Sequence, residues 1–152
     1  MTGGEKFPEY RRALSVLVIV YTLERDVLLL KRRLPFEFWQ SVTGSLLEGE
    51  THADAAAREL LEETGLGPVD GELLFSGNER VFSIDPRWRD RYAPGVSVNT
   101  EFEWRFRIKG RCQVTLSRPE HSEYCWMPVE RAIDAVWSWT NRDALRALSR
   151  VL

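Results

Sequence analysis

The stretch GSLLEGETHADAAARELLEETGL, residues 44–66, holds six carboxylates against one arginine and no lysine. Its second half consists largely of strong helix formers. Thr51 fits the N-cap position before this run, and Gly65 fits the position just after its end. These signals predict a helix over about residues 52–64. The carboxylates therefore lie on and just before one helix, where something has to compensate their charge.

Three glutamates of this helix, Glu59, Glu62 and Glu63, are spaced three and four positions apart, so their carboxylates project from one sector. Like charges at this spacing repel by a few tenths of a kcal/mol per pair, as a rough value for an isolated helix. Two interpretations are open at this point. The sector is either a solvated acidic face or a site for hard divalent cations, which take oxygen ligands.

The spacing of the whole segment favours the cation, because it resembles the signature of the Nudix hydrolases. Gly44 is followed after five residues by Glu50, and after seven more by the run RELLEETGL at residues 58–66. A chance match of this kind occurs at about one in a billion start positions. The resemblance implies an α/β protein with the Nudix fold, a mixed β-sheet sandwiched between α-helices. It also implies hydrolysis of nucleoside diphosphates linked to another moiety.

The residues of the signature make physical sense individually. We expect Gly44 to let the backbone turn tightly. Glu50 precedes the helix and can form a bidentate pair with Arg58, which would hold the loop against the helix. Together with Gly65 at the helix end, these residues form the structural part of the motif.

The resemblance also implies which residues hold Mg²⁺, with Mn²⁺ as an alternative. They are the Gly44 carbonyl and the carboxylates of Glu59, Glu62, Glu63 and Glu120. Glu59 and Glu63 are expected to be the most directly involved. Glu120, or one of the helix glutamates, would take the proton of the attacking water, although a solvated loop glutamate is the alternative for Glu120.

The rest of the chain mixes strands with a few helices, which predicts a mixed sheet covered by helices on both sides. Residues 85–95 predict an irregular loop. In residues 98–110 the alternation predicts one apolar face and one wet face carrying Glu101 and Glu103. The predicted strands are 15–21, 27–33, 38–44, 72–77, 79–84, 98–110, 113–117 and 123–128. The further predicted helices are 129–136 and 141–151.

Length and composition narrow the class of protein. A chain of 152 residues suits a single domain, residues 1–152, and a net charge of −2 leaves no basic footprint for nucleic acid. No apolar run approaches the roughly 20 residues needed to cross a bilayer. The polar N-terminus lacks the apolar core of a signal peptide, so we expect a cytoplasmic protein. Nothing in the sequence fixes the oligomeric state.

Flanking stretches resemble one Nudix subfamily, the dihydroneopterin triphosphate pyrophosphohydrolases, also described as dATP pyrophosphohydrolases. The resemblance implies cleavage of dihydroneopterin triphosphate to dihydroneopterin monophosphate and pyrophosphate, an early step of folate biosynthesis. The stretches extend along nearly the whole chain: SVLVIVY (15–21), FWQSVTGS (38–45), RYAPGV (91–96), NTE (99–101), EH (120–121) and SWTNRDA (138–144).

Carried over position by position, the resemblance implies a set of substrate contacts. They are Arg11, Arg32, Thr43, Phe82, Ser83, Ile84, Asp85 and Ser138. The arginines would bind phosphate as charge-assisted forks, and residues 82–85 would line the heterocycle pocket. Each has a structural alternative, such as a solvated arginine, a turn threonine or a core phenylalanine. His52 and His121 are expected to be surface histidines.

Two rival functions remain open. One keeps the enzyme but changes the substrate to dATP or a broader range of (deoxy)nucleoside triphosphates. The other is a ligand-sensing domain without catalysis, which usually goes with a degraded signature, whereas this signature is whole. Dinucleotide-binding and P-loop proteins are not supported, since neither GxGxxG nor GxxxxGK[ST] occurs.

Overall fold

A mixed seven-stranded sheet with helices on both faces forms the described part of the chain, residues 9–118 and 120–152 of a computed structural model. The expected sandwich is thereby confirmed. The strands are β1 (Leu14–Tyr21), β2 (Asp26–Arg32), β3 (Phe38–Gln40), β4 (Val42–Ser45), β5 (Gly71–Ser83), β6 (Val98–Ile108) and β7 (His121–Pro128). The helices are α1 (His52–Thr64), α2 (Val129–Ala135) and α3 (Trp139–Val151).

Strand β1 organises the sheet because both of its edges are paired. One edge runs parallel to β6 over its whole length, and β6 continues to β5. The other edge is shared: residues 15–18 pair with β4, and Tyr21 pairs with Val27 of β2. Strand β2 in turn pairs with both β3 and β7. Strand β4, which carries Gly44, is therefore held against the centre of the sheet.

Alternate residues of β1 enter two separate cores, as expected for a strand covered on both faces. Val16 and Val18 pack with Leu60 of α1, whereas Leu17 and Ile19 pack with α2 and α3. Leu61, the residue after Leu60, is 58% exposed. Within the described ranges, no helix combines the length and apolarity that a membrane span requires.

Helix α1 begins and ends where the sequence predicted. The Thr51 hydroxyl accepts a hydrogen bond from the Asp54 backbone amide at 3.1 Å, which caps the first turn. Gly65 has a φ of 78°, and its amide donates to the Leu61 carbonyl. Glycine adopts this left-handed conformation without a Cβ penalty, so it ends the helix cleanly.

Several boundaries differ from the sequence prediction. The expected strand at 38–44 is divided into β3 and β4, and residues 113–117 form no strand. The strands expected at 72–77 and 79–84 form one strand, β5, whose register shifts between Phe75 and Glu79. Gly77 lies inside this irregularity with a φ of 85°. The predicted loop at 85–95 contains a short 3-10 helix, Pro86–Arg91.

The predicted wet face of β6 is wrong for Glu101 and Glu103, which are only 6% and 0% exposed. Strand β5 and the start of α3 lie against these two side chains. Arg80 donates to Glu103 Oε1 at 2.7 Å, and Arg105 donates to Oε2 at 3.0 Å. Two guanidinium groups therefore balance the Glu103 carboxylate, whereas Glu101 has neither arginine as a hydrogen-bond partner.

We predict that Glu103→Gln lowers the free energy of unfolding by about 3 kcal/mol, because it leaves two arginines without their buried counter-charge. Glu72→Gln is the control. Glu72 pairs with Arg107 at the surface, and its loss should cost less than about 1 kcal/mol. Urea unfolding of both variants measures the difference, and equal losses would contradict the structural role of Glu103.

Candidate active site

Arg58 ties the loop before α1 to the helix. Its guanidinium donates to both oxygens of Glu50, at 2.8 and 2.9 Å, and to the Ser45 carbonyl at 3.0 Å. The Leu47 backbone amide also donates to Glu50. The Arg58 guanidinium holds the pKa of Glu50 below its usual value. A bidentate pair of this kind fixes the relative position of β4, the loop and α1.

Gly44 is required for a reason other than the tight turn we expected. It lies inside β4, opposite Val16 of β1. A Cβ added at Gly44 would lie 2.2 Å from the carboxyl carbon of Glu59. The absence of a side chain therefore lets the Glu59 carboxylate lie directly against the strand.

Two carboxyl groups of α1 are buried at this point. Glu63 is 2% exposed and accepts a hydrogen bond from the Thr43 backbone amide at 3.1 Å. Burial raises its pKa well above the usual value, and the negative charges of Glu59 and Glu120 raise it further. Burial also raises the pKa of Glu59, although Arg58 opposes the shift. Both groups therefore lie where additional positive charge would be favourable.

Glu120 and His121 bring two further ligand atoms to Glu63. One ligand atom from each of the three residues lies within 4.8 Å of the others. His121 is fully buried, so the expectation of a surface histidine is wrong. Its Nε2 lies 3.2 Å from Gln40 Nε2 and 3.5 Å from Glu63 Oε1. Burial, followed by the charge of Arg32, lowers its pKa to about 4, so the imidazole is neutral at pH 7.

The burial of His121 accompanies a strand that starts earlier than the sequence predicted. Strand β7 begins at this residue, two positions before the predicted strand, and His121 pairs with Arg32 of β2.

His52 is also misassigned as a surface residue. Its ring stacks on Phe102 with centroids 4.1 Å apart, and its Nδ1 accepts a hydrogen bond from Trp104 at 2.9 Å. This contact attaches the start of α1 to β6.

The residues at this position suit a divalent cation. Carboxylate oxygens are the ligands that Mg²⁺ and Mn²⁺ prefer, and burial, together with the neighbouring carboxylates, raises the pKa values of Glu59 and Glu63. Glu59, Glu63 and Glu120 are the residues that would hold the ion, and Gly44 lies beside Glu59. Glu62 is not brought into this group: its side chain is 56% exposed and pairs with Arg58 at 3.2 Å.

A cavity of about 580 Å³ lies against strand β4. Thr43 and Gly44 form part of its wall, so the cavity reaches the strand on which Glu59 and Glu63 rest. Phe38, Trp88 and Trp137 also line it. All eight residues that the sequence implied as substrate contacts line this one cavity: Arg11, Arg32, Thr43, Phe82, Ser83, Ile84, Asp85 and Ser138.

Three arginines approach one another beside the cavity. Burial lowers the pKa of Arg32, and the positive charges of Arg91 and Arg11 lower it further. The Arg11 amide donates to the Arg91 carbonyl at 2.7 Å, which ties the two segments together. Among the described residues, Arg91 Nη1 has no hydrogen-bond partner although it is buried. Crowded guanidinium groups with unused donors are suited to an anion with several oxygens.

Arg91 was not among the residues implied by the sequence. Its signal lay in the stretch RYAPGV, which was quoted for the resemblance but not assigned a contact. The arginine is the last residue of the short 3-10 helix, and the packing of this helix against residue 11 could not be read from the local pattern.

The chain is similar to known proteins over most of its length. A model of the NUDIX domain matches residues 11–148. Dihydroneopterin triphosphate diphosphatase of Escherichia coli strain K12 is 40% identical over 139 residues, 90% of this chain and 91% of that protein. The protein of the same name from Haemophilus influenzae is 35% identical over 141 residues, 91% and 88% of the two chains.

A solved structure gives the same result at the level of the fold. The E. coli dihydroneopterin triphosphate pyrophosphohydrolase superposes with a TM-score of 0.85 at 38% identity. The superposition covers 91% of this chain and 95% of that chain.

We predict that Gly44→Ala weakens the binding of Mn²⁺ by at least about tenfold, because the new methyl group displaces the Glu59 carboxylate. Calorimetric titration of the purified protein measures the affinity. Gly67→Ala is the matched control, since a Cβ there meets no atom within 4 Å among the described residues. Unchanged Mn²⁺ affinity in Gly44→Ala would remove Glu59 from the proposed ligands.

Proposed function

The chain belongs to the Nudix family, and we propose that it hydrolyses dihydroneopterin triphosphate to dihydroneopterin monophosphate and pyrophosphate. The two relatives named for this activity support the proposal. The observation that carries it is that all eight substrate contacts implied by the resemblance line one cavity, which Thr43 and Gly44 border beside the carboxylates of Glu63 and Glu59.

The cavity has a charged end and an end suited to a flat ring. Arg11 and Arg32 line the charged end, and their guanidinium groups would bind the triphosphate. Arg91 lies close enough to Arg32 to shift its pKa, and it would add a third cation. The segment 82–85 and the aromatic side chains near it would surround the heterocycle. This arrangement would place the phosphates towards Thr43 and the carboxylates.

The carboxylates of Glu59, Glu63 and Glu120 would hold Mg²⁺, with Mn²⁺ as an alternative. A cation bound there would offset the phosphate charge and lower the pKa of a coordinated water. The Thr43 amide orients Glu63 through its hydrogen bond, and Arg58 orients Glu59. Rigid placement of this kind keeps the charged groups fixed without reorganisation during the reaction.

Glu120 is the residue we assign as general base. It is exposed, whereas Glu63 beside it is buried, so Glu120 is the member of this pair that water reaches. Its carboxylate would take the proton of a water that attacks the phosphorus next to the organic group. Pyrophosphate then leaves, and no covalent intermediate with the protein is required.

Product analysis tests the proposal. Hydrolysis of dihydroneopterin triphosphate in water labelled with oxygen-18 should release unlabelled pyrophosphate and put the label in the pterin monophosphate. Release of orthophosphate would contradict the proposed bond cleavage. A clearly higher kcat/KM for dATP would support the alternative, a (deoxy)nucleoside triphosphate pyrophosphohydrolase. No turnover of either compound would favour a non-catalytic ligand-binding domain.

We predict that Glu120→Ala lowers kcat by about a hundredfold or more, because the water loses its proton acceptor. Glu59→Gln should also abolish most of the activity while the thermal midpoint of the protein stays near that of the wild type. Glu48→Gln, an exposed glutamate in the loop before α1, is the control and should retain full activity. An unchanged rate in Glu120→Ala would exclude it as the base.

A further inference from the structure

The wall of the cavity contains two buried acceptors without donors. Asn99 and Glu101 of β6 line it and are 1% and 6% exposed. Within residues 9–118 and 120–152, Asn99 Oδ1 and Glu101 Oε1 have no hydrogen-bond partner. A buried acceptor left without a donor is costly, so such groups call for an explanation. A ligand that carries hydrogen-bond donors would satisfy both.

Glu101 differs from Glu103, the next glutamate on this face of β6, in both its pairing and its position. Glu103, two positions along the same face of β6, is matched by Arg80 and Arg105, but it does not line the cavity. The Asn99 amide nitrogen bonds to Ser15 Oγ at 2.7 Å, which leaves its carbonyl oxygen unused. The same strand face thus holds one carboxyl group whose two oxygens both have arginine partners and one, at the cavity wall, whose Oε1 has no partner among the described residues.

The raised pKa of Glu101 also indicates that hydrogen-bond donors from a ligand would be favourable there. Burial raises its pKa to about 7, and the charge of Glu103 adds to this effect, while Thr140 and Arg80 oppose it. Two N–H donors from a ligand would favour the carboxylate form and compensate the cost of burial.

A ligand that bonds to the Glu101 carboxylate needs suitably placed N–H groups. A carboxylate accepts two parallel hydrogen bonds from adjacent N–H groups. A 2-amino-4-oxopyrimidine ring has this pair, a ring N–H beside an exocyclic amino group, and the ring occurs in both pterins and guanine. Adenine has an amino group beside ring nitrogens that only accept. Two acceptors in the cavity wall therefore favour the first class of ring.

We propose that Glu101, assisted by Asn99, recognises the amino-pyrimidinone edge of the substrate and so selects pterin-like over adenine-like triphosphates. The inference rests on the proposed function and adds the ring-reading residue to it. Phe38, Trp88 and Trp137, with ring centroids 5.2 to 6.1 Å apart, supply apolar surface for the faces of the ring in the same cavity.

Binding of the ring without phosphates tests the assignment, because it requires neither metal nor hydrolysis. We expect the wild-type protein to bind neopterin and guanosine more tightly than adenosine. Glu101→Gln should weaken neopterin and guanosine by about tenfold or more, because the amide cannot accept both hydrogen bonds. Its affinity for adenosine should stay within about threefold. Fluorescence titration measures neopterin, and calorimetry measures the nucleosides.

Glu79→Gln is the matched control, a glutamate that is exposed on the neighbouring strand β5. It should bind all three compounds like the wild type. Glu101→Asp, which keeps the charge but shortens the reach, provides a second variant if Glu101→Gln does not fold. We expect Glu101→Asp to lose affinity for neopterin and not for adenosine. Equal wild-type affinity for neopterin and adenosine would overturn the proposal without any variant.

The outcomes separate the inference from the proposed function. Cleavage of dihydroneopterin triphosphate together with undiminished neopterin binding in Glu101→Gln would overturn the inference and leave the function standing. Neopterin binding that depends on Glu101, in a protein that cleaves neither triphosphate, would overturn the function and support the ring assignment. In turnover assays, an equal fall of kcat/KM for dihydroneopterin triphosphate and dATP would indicate a merely structural role and contradict the inference.

Discussion

The ion pair between Arg58 and Glu50 fixes the geometry on which the rest of the site depends. One guanidinium joins the loop before α1, the carbonyl of Ser45 in β4 and the helix itself. With these three parts held together, the Glu59 carboxylate can lie against Gly44, where any other residue would collide with it. The burial of Glu63 beside the Thr43 amide follows from the same arrangement. The crowded carboxylates are thus a product of tight packing, and their need for a counter-charge is a consequence of it.

Two strands on opposite edges of β1, β4 and β6, contribute residues to the wall of the cavity. Strand β4 places Thr43 and Gly44 where the carboxylates meet the cavity, while β6 contributes Asn99 and Glu101 to the same wall. Because β4 and β6 pair with opposite edges of β1, their two parts of the cavity wall are held at a fixed separation. A substrate with a flat ring joined to a chain of phosphates matches such a division. Its affinity would be divided between the two ends, whereas its specificity would come from the ring.

Local sequence patterns predicted the features that depend on residues close together in the chain. The caps at Thr51 and Gly65 gave the bounds of α1, and the fixed spacing from Gly44 to Leu66 indicated the family. Tertiary packing decided the rest. Glu101 is buried because α3 covers a strand face that alternation alone assigned to water, and His121 is buried because β7 begins earlier than its apolar run. The approach of Arg91 to Arg32 depends on loop packing, which leaves no periodic trace in the sequence.

The two faces of β6 are used for separate tasks. On one face, Phe102 and Trp104 contact the ring and Nδ1 of His52 and so hold the start of α1. On the other face, Asn99 and Glu101 line the cavity. A replacement on the cavity side leaves the helix anchor untouched. With the ring recognition that we propose for Glu101 and Asn99, preference for one heterocycle over another would change by exchange of alternate residues along a single strand. The choice of substrate and the power to cleave it would then be independently adjustable.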